Sequence, residues 1–115
     1  MPVNLTIPMP NPDRGEVWLV DLGYAAKVRP CLVLSIPILD QDRALCTIVP
    51  HTTSPRASRF EVDLRVSFLK PGVFDAQNLV TIPQAKLIRR LGTLKSSELV
   101  RIGEAVLEWL GLNLN

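Results

Sequence analysis

Two short stretches of the chain carry side chains suited to phosphate chemistry. Arg29-Pro30-Cys31-Leu32-Val33-Leu34-Ser35 places an arginine at the mouth of an apolar run. Val49-Pro50-His51-Thr52-Thr53-Ser54 places an imidazole and three hydroxyls where another apolar run stops. A guanidinium is a planar fork of donors that stays charged at any physiological pH, so Arg29 suits a phosphate or the phosphorane formed when one is attacked. The hydroxyls of Thr52, Thr53 and Ser54 can hold phosphoryl oxygens, and His51 can shuttle protons. Each group also has a plain structural reading. Arg29 can cap a strand end or pair with Asp21 or Glu16, and the hydroxyls can bond their own loop's amides with His51 at the surface. If the two strands are neighbours, Arg29 and Thr52 meet over one cleft.

Further along, Arg56, Arg59, Lys86, Arg89 and Arg90 can grip phosphates of a single strand, with Tyr24, Trp18 or Phe74 for stacking. Aromatics make up only 5% of the chain, which excludes a long stacking platform and leaves a solvated basic face as the alternative. Gln77-Asn78 offers amides that can read a base edge or bond neighbouring backbone. Neither a nucleophile elbow nor a glycine-rich phosphate loop is present. One histidine and two cysteines without CxxC spacing do not make a zinc site, so no metal and no cofactor is expected.

These groups need a scaffold, and 115 residues suffice for one domain with a modest core. Net charge is only +2, but residues 50–95 hold eight Lys/Arg against three acids, whereas residues 96–115 are net acidic. A basic middle permits a polyanion-binding face. Cys31 and Cys46 sit inside apolar runs and read as reduced, buried thiols of a cytoplasmic protein, in keeping with the lack of a secretory leader pattern. No apolar stretch approaches the ~20 residues that span a bilayer, so no membrane role is expected.

Pro2, Pro8, Pro10 and Pro12 mark residues 1–13 as an irregular arm, and the domain proper covers residues 14–115. Strands are expected over residues 16–22, 31–36 and 44–49 as a meander, the second nearly all apolar and covered on both faces. Residues 60–64 alternate apolar and charged, as an antiparallel strand with one wet face does. Residues 73–82 read as a strand bulged or interrupted near Asp75, and residues 83–88 as a helical turn or an extended piece. Leu99, Ile102, Val106, Trp109 and Leu110 fall on one helix face, with Ser96 or Ser97 as N-cap, Ala105 on the wet side and Gly111 as the stop. The pattern is mainly β with a C-terminal helix: five or six short strands forming a small curled antiparallel sheet or open barrel.

The ordered set of Arg14-Gly15-Glu16-Val17-Trp18-Leu19-Val20-Asp21-Leu22, Arg29-Pro30 and Val49-Pro50-His51-Thr52-Thr53-Ser54 resembles the MazF/PemK (Kid) family. Phe60-Glu61-Val62, the strand at residues 77–82, Arg90-Leu91-Gly92 and the terminal helix follow in family order. The resemblance spans about residues 14–112. It implies an SH3-like barrel of five to seven strands, a homodimer, and a toxin endoribonuclease of a type II toxin-antitoxin module bound by a cognate antitoxin. Such enzymes cut single-stranded RNA, often mRNA, at short sequences without a metal; the 2′-OH is the nucleophile, leaving 2′,3′-cyclic phosphate and 5′-OH ends. By this match Arg29 stabilises the phosphorane and Thr52 hydrogen-bonds a phosphoryl oxygen, while Lys27, Thr53, Ser54, Arg56, Gln77 and Asn78 are expected to contact RNA. Two departures stand out. The connection at residues 23–28 is shorter than the loop of many relatives, and Gln77-Asn78 replaces a common Asp-Gln, the acid of which has been proposed as general base. His51 is the candidate to replace it. The rival expectations are a non-catalytic binding module or gyrase-directed toxin on the same fold, and a general RNA-binding barrel.

Overall fold

The computed structural model describes residues 9–23 and 27–112. Seven strands are followed by one helix: β1 (Glu16–Asp21), β2 (Val28–Val33), β3 (Leu45–Thr52), β4 (Glu61–Asp63), β5 (Val73–Asp75), β6 (Val80–Pro83), β7 (Leu87–Thr93) and α1 (Ser96–Leu110). Single 3-10 turns occupy Ala76–Asn78 and Gln84–Lys86. Every pairing is antiparallel, in the order β4-β5-β3-β2-β1-β7, with β6 beside β3. β4 and β7 do not pair with each other, so the sheet is curled but open rather than a closed barrel.

The second strand begins at Val28, ahead of the expected Cys31, because Val28, Arg29 and Pro30 pair with Asp21, Val20 and Leu19 of β1. Proline brings no amide donor to a ladder. It is accommodated because β3 joins β2 only from Cys31 onward, leaving Pro30 flanked by β1 alone. The interruption expected near Asp75 is the 3-10 turn Ala76–Asn78. It divides one line of chain into β5, which pairs with His51 and Thr52, and β6, which pairs with residues 45–48 of the same strand. Three residues are thereby pushed out of the ladder beside the end of β3.

Alternation sorts side chains onto two sheet faces. On one, Val17, Leu32, Val49 and Phe74 pack under the helix with Ile102, Ala105 and Val106. On the other, Val20, Cys31, Val33, Cys46 and Ile48 meet Ile82 and Leu87 from the curling end of the sheet. β2 is thus covered on both faces, as its apolar run requires. Each fully buried aliphatic side chain contributes about 1.5–3 kcal/mol, so these two layers supply most of the driving force for the fold.

The helix is capped by Lys95 rather than a serine. The Glu98 carboxylate accepts the Lys95 amide at 2.8 Å and puts negative charge in the first turn, where the helix dipole favours it. Ala105 belongs to the buried face, and Trp109 and Leu110 are exposed by 41% and 48%, because the apolar stripe leaves the sheet before the helix ends. Gly111 adopts a left-handed φ of 69° and closes the helix. Residues 9–13 contain no helix or strand, yet the Asn11 side chain donates to the Ile38 carbonyl (3.0 Å) and accepts the Ile38 amide (2.9 Å). Residues 1–8 of the expected arm lie outside the described residues. No described helix is long and apolar enough to cross a membrane.

Candidate active-site cleft

Register brings the arginine and the threonine together. Cys31 pairs with Pro50 where the β2–β3 ladder ends, and Arg29 and Thr52, each two residues further on, fall on the same sheet face as that pair. Both line a cavity of about 440 Å³ with Ser54, Arg56, Glu61, Asp75, Gln77 and Asn78. An adjoining cavity of about 500 Å³ shares Arg29, Thr52 and Ser54 and adds an amphipathic wall of Leu19, Phe68, Leu69, Leu91, Lys70 and Arg89. Arg29 and Thr52 therefore stand between a polar basin and an amphipathic basic one.

The Thr52 hydroxyl has a fixed position. Its oxygen accepts the Ser54 amide at 3.1 Å, the local loop bond expected of such a cluster. That bond uses a lone pair and leaves the hydroxyl proton to be donated. Close packing below the strand holds it further: a Cβ on Gly72 would lie 2.2 Å from the Thr52 carbonyl oxygen, so only glycine fits there.

The same alternation that turns Thr52 into the polar basin keeps His51 out of it, although His51 is among the residues lining the adjoining one. His51 pairs with Phe74 across β3 and β5, their rings edge-on at 5.0 Å, on the face packed under the helix. The side chain is 3% exposed, its Nε2 is sealed from solvent without a hydrogen bond, and burial holds its pKa below the ordinary imidazole value. This corrects the surface reading: His51 is buried, in the wall of the adjoining cavity beside Thr52, with its Nε2 covered.

Of the remaining candidates, Ser54, Arg56, Gln77 and Asn78 line the first cavity, whereas Thr53 lines only the adjoining one and Lys27 lines neither. The 3-10 turn displaces Gln77 and Asn78 into the cleft. Arg89 reaches the amphipathic basin, and Lys86 and Asn78 line a separate apolar hollow. Arg90 is committed to the nearly buried Glu16 at 3.0 Å, and the Arg59 guanidinium lies 4.5 Å above the Phe60 ring. Among the described residues the expected aromatic stack does not form at the cleft: Phe74 is fully buried and the Trp18 indole donates to Glu16, while Tyr24 lies outside the described residues. Burial, opposed by Arg29 and assisted by Cys46, pushes the Cys31 thiol up to about 12, so it is no nucleophile.

Two acids that the sequence reading left out of the site line the cleft. Glu61 pairs with Asp75 across β4 and β5, and Asp75 lies one residue beyond the buried Phe74, on the face of Thr52. The signal was the alternation of Val73, Phe74 and Asp75 around one buried aromatic. Glu61 accepts the Arg56 amide (3.0 and 3.2 Å) and the Ser58 amide (3.1 Å), bracing the loop that presents Ser54 and Arg56.

Comparison with known proteins places this arrangement. The family model of PemK-like, MazF-like toxins of type II toxin-antitoxin systems matches residues 13–110. Endoribonuclease MazF3 of Mycobacterium tuberculosis is 31% identical over 98 residues, covering 79% of this chain and 95% of its own length. The probable endoribonuclease MazF of Mycolicibacterium smegmatis is 26% identical over 106 residues, covering 86% and 96%. A solved mycobacterial endoribonuclease in complex with its cognate antitoxin superimposes with a TM-score of 0.77 at 29% identity, over 90% of this chain and 99% of the other.

Proposed function

The chain belongs to the PemK-like, MazF-like toxins of type II toxin-antitoxin systems, and from that premise we propose that Arg29 and Thr52 are its phosphodiester-cleaving pair. It is an endoribonuclease toxin, with RNA as substrate and a cognate antitoxin as partner. The observation that carries the site assignment is the shared cavity: a guanidinium and a hydroxyl with a proton to donate line one opening that a phosphate can enter.

A single-stranded RNA lies with its scissile phosphate against Arg29 and Thr52, held also by Ser54 and Arg56. Its 2′-oxygen attacks phosphorus in line with the departing 5′-oxygen, and charge builds on the phosphoryl oxygens. Arg29 and Thr52 donate to those oxygens, and fixed donors aimed at developing charge stabilise the transition state more than the ground state. The products are a 2′,3′-cyclic phosphate and a 5′-OH end, without a metal. Gln77 and Asn78, on the displaced turn, present amides to a neighbouring base. Lys27 and Thr53, outside the polar basin, contact flanking backbone. The protein acts as a homodimer in the cytoplasm, and an acidic, partly disordered antitoxin tail folds onto the basic groove and blocks it.

The test is incubation with long single-stranded RNA in EDTA. Discrete fragments whose 5′ ends accept kinase label without prior dephosphorylation are expected. Arg29→Ala should keep its circular dichroism spectrum and lose about 10²–10³-fold in cleavage rate, the range for removing one oxyanion donor. Undiminished cutting by the folded variant overturns the site assignment, and intact RNA with arrested gyrase identifies the protein as a gyrase-directed relative.

A further inference from the structure

Attack by a 2′-hydroxyl needs an acceptor for its proton. Resting on the cleavage reading above, we infer that the Asp75 carboxylate is that general base.

Placement comes first. Thr52 pairs with Val73, so Asp75 is its diagonal neighbour on the same sheet face, with a backbone separation of about 7–8 Å. That gap suits a nucleotide whose phosphate rests on Thr52 and Arg29 while its ribose hydroxyl turns toward Asp75. The carboxylate lines the same cavity as both. Elimination follows. His51 does not line this cavity, and its Nε2 is buried without a hydrogen bond. Gln77 carries an amide, which is no proton acceptor at neutral pH. Glu61 is engaged by the Arg56 and Ser58 amides. Among the described residues no hydrogen bond or ion pair engages the Asp75 carboxylate. An acid facing a phosphate opposes RNA binding, and proton acceptance is a chemistry that needs an anion at this position.

In the step, the 2′-OH proton passes to an Asp75 oxygen as the O2′–P bond forms. The P–O5′ bond breaks, and the departing oxygen takes a proton from water. Asp75 gives its proton to solvent after the cyclic phosphate leaves.

Asp75→Asn is nearly isosteric and tests the assignment. The expected result is a fall in kcat of about 10²–10⁴-fold, with loss of the acidic limb of the pH–rate profile. Binding of an uncleavable 2′-deoxy oligonucleotide should be unchanged or tighter, since a negative charge has left the cleft. Asp75→Glu, which keeps a proton acceptor, should cut at least 10-fold faster than the Asn variant. Equal rates for Asn and Glu variants, or wild-type cleavage by Asp75→Asn with an unaltered pH profile, overturn the assignment. Arg29→Ala run in parallel separates the two failures. If it is inactive while Asp75→Asn is fully active, only the base is wrong; if both cut normally, the cleft itself is wrong.

Discussion

Single residues at the end of β3 divide their work by parity. Thr52 presents a proton to the cleft, and His51 fills space against Phe74 and the Gly72 backbone. The sequence shows which residues cluster here but not which of two neighbours faces the cleft, since Thr47 is the single polar residue of β3 before His51 and Ile48, Val49 and Pro50 are buried on both faces. That Arg29 and Thr52 would share a cleft was legible from residue type and flanks. That Asp75 lines the same cleft was not, because its facing depends on a strand only three residues long. A consequence can be measured for His51. Its folded pKa is depressed, so the unfolded chain binds a proton that the native state refuses, and stability falls as pH drops below about 6.5. His51→Phe should remove this part of the pH dependence in urea titrations between pH 7 and 5. Cleavage should stay within a few-fold of wild type, and its loss in a folded variant would return His51 to the chemistry.

At the scale of elements, the hinge of the design is β1 with its two neighbours. Glu16 sits 8% exposed on β1, where burial works to raise its pKa. Hydrogen bonds from Trp18 and the Asp13 amide, together with the Arg90 hydrogen bond and charge, outweigh this and hold it below the ordinary carboxylate value. A depressed folded pKa means stability that is present above the unfolded value of about 4.3 and lost as pH falls through the folded one. The melting-temperature gap between wild type and Glu16→Gln should be constant from pH 6 to 8 and close as pH drops below about 4. A gap that persists at pH 3 would show that the charge is not what matters. Strand existence was well marked in the sequence, as were the interruption near Asp75 and the glycine stop of the helix. Boundaries were less so. β2 starts early because β1 pairs with it ahead of the apolar run, and the helix begins on Lys95 because Glu98, not a serine, meets the free amide. Such choices are made by partners distant in sequence.

Across the whole molecule the charge pattern acquires a location. The net basic span of residues 50–95 supplies Arg56, Lys70 and Arg89 to the two basins that meet at Arg29. If these four cations each neutralise one phosphate, affinity for an uncleavable single strand should fall with salt at a log–log slope of about −3, from roughly 0.7 per phosphate. Fluorescence anisotropy between 50 and 400 mM salt measures it, and a slope near zero would remove RNA from this groove. The shared ladder also limits how such a chain can change. Because side chains alternate with a period of two, adding one codon between Pro50 and His51 would turn the imidazole into the polar basin and bury the hydroxyl under the helix. Point substitutions here leave the frame of facing intact, whereas odd-numbered length changes invert it, so this stretch should tolerate drift in composition far better than drift in length.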